Sequence, residues 1–200
     1  LRNYAYVTLQ ENNAVAKVNL GTNKIDAIFP LGAVDYASQL VDLTDKDGPA
    51  GASLFAPKLG QPFEGLRMAD GIAAYRTKGR DYFVTANEGD GRDYGTYLDE
   101  VRGTGVNPDV TAYRVKRLAD DASVGSADRI TTFGGRSITV FDAETGALLW
   151  DSGNSLQAIA VAAGQYDDGR SDDKGVEPEG IVVWQSEGRS YAIVGMERTK

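Results

Sequence analysis

Short runs in which apolar and polar residues alternate recur along the whole chain, each closed by glycine, asparagine or aspartate. This is the pattern of half-buried β-strands joined by tight turns. The runs also repeat one another. Residues 69–75 (ADGIAAY) and 79–88 (GRDYFVTANE) align without gaps on 178–184 (PEGIVVW) and 188–197 (GRSYAIVGME), so that Gly, Ile, Gly-Arg, Tyr and the final Glu coincide. In each copy a β-rich run meets a turn holding Gly-Arg and then a second β-rich run, which predicts a hairpin. A third copy of the second strand opens the chain, because residues 6–12 (YVTLQEN) lie over 83–89 (FVTANEG). Residues 14–20 then alternate as a strand, 21–24 form a turn and 25–29 another strand. This unit returns as 137–142, 143–146 and 147–150, with Asp142 and Thr145 falling on Asn19 and Thr22.

Joined together, the copies make a unit of four consecutive antiparallel strands, about 40 to 50 residues before insertions, which is the size of a propeller blade. The predicted fold class is therefore all-β: a β-propeller of four-stranded antiparallel blades, here a partial set of about four, with long acidic and glycine-rich loops and one or two short helices. Residues 1–200 are expected to be part of one propeller domain, with blade segments at 4–32, 69–118, 128–152 and 178–200, the last continuing beyond the chain. The second blade would hold strands at 70–75, 81–87 and 109–116, and the third at 129–133, 137–142 and 147–150. Three stretches interrupt the blades: 33–68, rich in Gly, Pro and Asp; 89–108, with a short helix around Tyr97 to Arg102; and 154–175. The last should open with a helix capped by Asn154 or Ser155 and running through Leu156, Ile159 and Ala163.

Composition narrows the chemistry. Of 200 residues 42% are hydrophobic and 25% charged, which suits a folded globular chain. No run is long and apolar enough for a membrane helix, and the first residues have neither the basic region nor the apolar stretch of a signal peptide. An export signal, or an anchor giving any membrane attachment, is thus expected outside this segment. The balance of 21 basic against 29 acidic residues, −8 net, argues against nucleic acid as a partner and makes cations the natural ligands. There is no cysteine and no histidine, which removes thiolate and imidazole metal ligands, thiol nucleophiles and the Ser-His-Asp triad. Chemistry here must run on carboxylates, Lys, Arg, Tyr, Ser and backbone groups, and no organic cofactor is expected.

The residues Tyr6-Val7-Thr8 with Asn12-Asn13-Ala14-Val15 and the Thr22 turn resemble the YVTN-type surface propeller repeat. Further motifs are similar to those of the choice-of-anchor I family: Gln10-Glu11-Asn12-Asn13; Asp45-Lys46-Asp47-Gly48; Thr85-Ala86-Asn87-Glu88-Gly89-Asp90; Phe133-Gly134-Gly135-Arg136-Ser137; Ser171-Asp172-Asp173-Lys174-Gly175 with Glu177-Pro178-Glu179-Gly180; and Glu197-Arg198. They follow family order along nearly the whole chain. The resemblance implies a secreted, periplasmic or cell-surface bacterial propeller of the kind labelled alkaline-phosphatase-like, with animal relatives labelled mesenchyme-specific cell-surface glycoproteins.

The repeat places Glu11, Glu88 and Glu197 at one equivalent position, the end of a second strand, and Asp70 and Glu179 at another, the start of a first strand. In a propeller the first strands line the central channel, so these carboxylates would ring its mouth. Like charges so gathered repel unless a cation or Arg and Lys neutralise them. Ca²⁺ fits best, since it takes six to eight oxygens and needs neither His nor Cys. Glu88-Gly89-Asp90 and the run from Asp172 through Glu177 to Glu179 are the densest acidic stretches. The candidate metal ligands are therefore Glu11, Asp70, Glu88, Asp90, Asp172, Glu177, Glu179 and Glu197; the structural alternative is a lattice in which carboxylates pair with Arg80, Arg136, Arg189 and Arg198. Arg136, Lys174 and Arg198 are candidate anion-binding groups, Arg136 through the Gly134-Gly135 turn. Asp45-Lys46-Asp47-Gly48 resembles part of a calcium loop, but the EF-hand register puts Leu43 at its first ligand and Leu54 at its closing one, so it is read as a turn. Two functions remain in view. One is a binding or scaffold protein with Ca²⁺-stiffened loops; the other is a metal-dependent phosphoester hydrolase, phosphatase- or phytase-like, in which carboxylate-bound Ca²⁺ activates a water. A lactonase-like hydrolase would have the same metal requirement. The expected partner is a small molecule, a phosphoester or a surface polymer at the channel mouth.

Overall fold

The computed structural model describes residues 3–102, 116–118 and 130–199. The protein is mostly β-sheet, with one α-helix among the described residues. β1 (Tyr4–Leu9), β2 (Ala14–Asn19) and β3 (Lys24–Pro30) form an antiparallel meander. β6 (Ile72–Thr77), β7 (Arg80–Ala86), β11 (Ile138–Asp142) and β12 (Leu148–Asp151) form a four-stranded antiparallel sheet. β13 (Pro178–Ser186) and β14 (Arg189–Met196) make a two-stranded one. Between these lies a five-stranded sheet in the order β4 (Ala33–Asp35), β5 (Phe63–Leu66), β10 (Ile130–Phe133), β9 (Lys116–Leu118), β8 (Glu100–Arg102).

The hairpins read from the repeat are present, and local chemistry explains them. β6–β7 and β13–β14 each close on two residues in left-handed backbone: Lys78 and Gly79 (φ 48° and 80°), and Glu187 and Gly188 (φ 50° and 74°). Paired positive φ values are those of a type I′ turn, whose twist matches that of the strands. The matched aromatics meet across each hairpin, Tyr75 with Tyr82 at 5.4 Å between ring centroids and Trp184 with Tyr191 at 5.3 Å. The second repeat holds too. Asn19 Oδ1 accepts the amides of Gly21 and Thr22 at 3.0 and 3.2 Å, and Asp142 Oδ1 accepts those of Glu144 and Thr145 at 2.9 and 2.8 Å, so both turns are built on the same side-chain cap.

Sheet membership differs from the expected one in the middle of the chain. The partner of β7 is β11, in the register Phe83↔Phe141 and Val84↔Val140. Phe83, Val84, Thr85 and Ala86 are all buried, so β7 needs neighbours that shield it on both faces, and β11 brings Phe141 and Ile138 to do so. β6, β7, β11 and β12 thus build one sheet, not parts of two. The strand expected at 109–116 falls almost wholly outside the described residues. β10, expected beside β11, instead runs parallel to β5 (Ile130↔Phe63). Where a helix was expected around Tyr97 to Arg102 the chain forms an Asp93↔Leu98 bridge and then β8. The expected helix after Asn154 is α1 (Ser155–Ala162), but it buries Leu156, Gln157 and Ala160 and leaves Ile159 exposed.

Three apolar cores result among the described residues. Val15, Phe29, Leu31, Phe83 and Phe141 join the meander to the four-stranded sheet. Val84, Ile138, Leu156, Ala160 and Ile181 join that sheet to α1 and β13. Val34, Tyr36, Leu43, Phe63 and Ile130 fill the five-stranded sheet. A buried polar seam locks them together: Arg67 donates to the Leu31 and Ala33 carbonyls at 3.0 and 2.9 Å and to Asp151 at 3.2 Å, while Asn87 donates to Ser137 and Thr139 at 3.0 and 2.7 Å. β6 and β13 approach at their starts, where the Gly71 amide donates to the Glu179 carbonyl at 2.9 Å and a Cβ on Gly71 would overlap that oxygen.

Candidate metal centre

Strand ends, not strand faces, supply the site. Glu88 follows β7, Glu197 follows β14, and Glu177 and Asp70 precede β13 and β6. The Glu197 amide donates to the Glu177 carbonyl at 2.9 Å, holding the two ends of the last hairpin together. Glu88 is fixed by close backbone packing: the Gly89 amide donates to the Met68 carbonyl at 3.1 Å, and Gly89, at φ 89°, lies so near Gly134 that no Cβ fits between them.

One carboxylate oxygen from each of Glu88, Glu177 and Glu197 lies within 4.8 Å of the others. Glu177 is fully buried, Glu88 half-buried and Glu197 exposed, so the cluster runs from the interior to the surface. Glu177 Oε1 accepts Arg170 Nε and Nη2 at 2.9 and 2.5 Å, whereas no hydrogen bond reaches Oε2. Lys174 Nζ stands 3.4 Å from Glu177 Oε2, 3.5 Å from Glu88 Oε1 and 3.6 Å from Asp90 Oδ1. Arg170 also pairs with Asp173 at 3.0 Å, and Arg198 reaches Glu197 at 3.0 Å and Glu177 at 3.8 Å. Gln10 donates to Glu88 Oε2 at 2.7 Å.

Negative charge dominates even so. Burial pushes the Glu88 carboxyl above its usual range; Asp70 and Asp90 add to this, while the Gln10 hydrogen bond and Lys174 offset part of it. Burial likewise raises Asp70, reinforced by Asp90 and Glu197. Lys174 shows the opposite balance. Burial works to lower its pKa, but the fields of Glu177, Glu88, Asp90 and Asp173 together hold it above that of an ordinary lysine. A pocket that raises its acids and also its lysine favours added positive charge.

The other sequence candidates take different places. Glu11 is one residue out of register with the cluster, because β1 ends in a 3-10 turn (Gln10–Asn12) closed by Asn13 at φ 50°. The turn gives Gln10 the position facing Glu88, and Glu11 accepts the Tyr94 hydroxyl instead. Asp172 is buried close enough to Arg170 to stabilise its charge. The Glu179 side chain is exposed; only its backbone carbonyl joins the packing, at Gly71. Arg136 is buried away from the cluster, donating to the carbonyls of Asp42, Ser171 and Asp173 at 2.6, 2.9 and 2.8 Å. Its Nη atoms tie loops together, and only Nε lacks a partner. Sequence reasoning missed Arg170 and Gln10. Gln10 falls on Asn87 in the repeat, a residue that faces the buried seam instead, and the one available signal for Arg170, which lies outside the repeat, was its place in the charged run 167–174.

These motifs, in this order along the chain, agree with a comparison against protein-family profiles: the choice-of-anchor I domain matches residues 2–200. The chain belongs to the choice-of-anchor I family. No curated protein and no solved structure gives a significant match. The Glu88–Glu177–Glu197 cluster is thus a feature of a choice-of-anchor I domain able in principle to coordinate a divalent cation through an all-oxygen donor set. Among the described residues of this domain no helix is long and apolar enough to cross a membrane.

Proposed function

We propose that this choice-of-anchor I domain is part of an extracellular or cell-surface β-propeller that binds or scaffolds a ligand, with Ca²⁺ at Glu88, Glu177 and Glu197 fastening its strand ends. The observation that carries the reading is the convergence of three carboxylates, from the loops at the ends of two hairpins, around a fully buried glutamate with one oxygen lacking a hydrogen bond. In a propeller such loops crowd one face around the axis. The four-stranded sheet would be a complete blade, the meander the last three strands of the blade before it, and β13–β14 the first two of the next. An ion there would add a tie between two hairpins that the backbone joins through the Gly71 amide and Glu179 carbonyl. A small molecule, phosphoester or surface polymer would meet the same face.

The test is thermal melting with Ca²⁺ and with chelator, alongside hydrolysis of a chromogenic phosphate ester. Ca²⁺ at a hundred times its Kd stabilises by about 2.7 kcal/mol, which for a chain of this size raises Tm by about 5–10 °C. Glu177→Gln should remove most of that rise. No Ca²⁺ shift in the unmutated protein would sink the metal reading, and Ca²⁺-dependent ester turnover lost in Glu88→Gln would favour the hydrolase over the scaffold.

A further inference from the structure

The β13–β14 hairpin covers the four-stranded sheet only in part. Val183 of β13, with Val194 and Met196 of β14, packs on the core shared with that sheet. Ser190 and Ala192 lie on the same side of β14 as Val194, since alternate residues of a strand share a face, yet both are exposed, beside a cleft of about 220 Å³. Its other walls include Ile138, Val140 and Trp150, so the cleft continues the interface between the two sheets. Trp150 is 52% exposed there. The backbone is open at the same place. β14 pairs with β13 along one edge, and among the described residues no strand pairs with the other. A bare edge is commonly blunted by charge or proline, but residues 190–196 (SYAIVGM) contain neither.

The internal repeat indicates which kind of strand fits this edge. Residues 79–88 align on 188–197, which makes β7 and β14 counterparts, as β6 and β13 are. β7 has β6 on one edge and β11 on the other, with Phe83 opposite Phe141 and Val84 opposite Val140. The third strand changes what its neighbour exposes. Phe83 is completely buried, whereas Ala192, at the counterpart position, is exposed.

We propose that the free edge of β14 is a strand-acceptor site, and that its occupant is an antiparallel hairpin of the β11–β12 kind supplied by a further repeat of the same propeller. This rests on the propeller reading above. The incoming strand runs antiparallel to β14 opposite Tyr191 to Gly195, as β11 runs opposite Tyr82 to Ala86, and its inner side chains fill the cleft beside Trp150. In strand addition the main-chain hydrogen bonds supply affinity and the alternate side chains supply selection. The strand accepted here is therefore one with apolar residues at alternate positions, as β11 has at Ile138 and Val140.

The experiment is fluorescence titration of the full chain, in chelator, with a synthetic peptide of residues 136–152 carrying Trp150→Phe. The peptide is then free of tryptophan, and Trp150 and Trp184 of the chain report. A saturable blue shift should appear, with slowed amide exchange along β14. Ala192→Lys in the chain sets a charge in the cleft and should weaken binding about ten-fold or more without lowering Tm, while Val182→Lys, at a position 58% exposed, should change it little. Should Ala192→Lys fail to fold, Ser190→Lys decides in its place. The proposal is overturned if the peptide does not bind at millimolar concentration, or if it binds with an affinity that the lysine in the cleft leaves unchanged. It is also overturned if the chain alone associates with rising concentration and Ala192→Lys abolishes that, since the occupant is then a second copy. A Ca²⁺ shift that persists beside a negative peptide result would leave the glutamate site standing and remove only this one.

Discussion

Lys174 stands where a divalent ion would find its ligands, 3.4 Å from the unbonded oxygen of Glu177 and 3.5 Å from Glu88. It is a counter-ion to these carboxylates and would be a competitor of any ion bound there. Removing it leaves buried carboxylates facing one another, a loss of the kind that costs about 2 kcal/mol per charged hydrogen-bonding group. Lys174→Met should lower the Tm measured in chelator by several degrees, and it should enlarge the rise on adding Ca²⁺, because the ion then replaces a missing charge instead of sharing with one present. A lowered Tm with an unchanged Ca²⁺ response would show that the ammonium and the ion do not compete. At this scale the sequence was partly legible. Glu88 and Glu197 stood out because the repeat superposes them, and Glu177 because it lies in an acidic run, and the three carboxylates lie together in the structure. Glu11 was misplaced because a single 3-10 turn shifts register by one residue, a change of backbone path that alignment by residue type does not register.

Two glycines show how elements hold that site. Gly79 sits at φ 80° in the hairpin turn with open space around its Cα, whereas Gly89, at φ 89°, is pressed against the Gly134 backbone. Alanine at 79 meets only the left-handed backbone penalty, about 1–2 kcal/mol. Alanine at 89 meets that and a backbone overlap that cannot relax without moving the residue after Glu88. Gly89→Ala should thus destabilise by more than Gly79→Ala in denaturant unfolding, and of the two only Gly89→Ala should also weaken Ca²⁺ binding. Equal effects on binding would mean that Glu88 is not positioned by this contact. The hairpins themselves were readable because turn chemistry and cross-strand pairs act between near neighbours. The five-stranded sheet was not. Its central pairing, Ile130 with Phe63 in parallel, joins short strands far apart in sequence, and no local pattern announces a partner at that distance.

Across the whole molecule the acidic groups couple folding to pH, and a bound cation would enter the same balance. Asp42, Asp70, Glu88 and Asp168 have pKa values raised first of all by burial, so the folded protein holds protons that the unfolded chain releases. Stability from these groups is fully present below the ordinary carboxylate range, about pH 4, and is lost as pH rises through their raised values. Asp142 is lowered, chiefly by the Thr145 amide, so its contribution has the opposite sign but changes only below that range. The chain has no histidine to add a side-chain step near neutrality. Urea unfolding in chelator should accordingly show stability falling from about pH 4.5 toward pH 7. Saturating Ca²⁺ should flatten or reverse the slope, because an ion that needs deprotonated carboxylates binds more tightly as they ionise. Glu88→Gln should remove part of the slope in chelator, since an amide carries no proton to lose. Stability that rises with pH in chelator over this interval would contradict the buried-acid account of Asp42, Asp70, Glu88 and Asp168, whatever the affinity for metal.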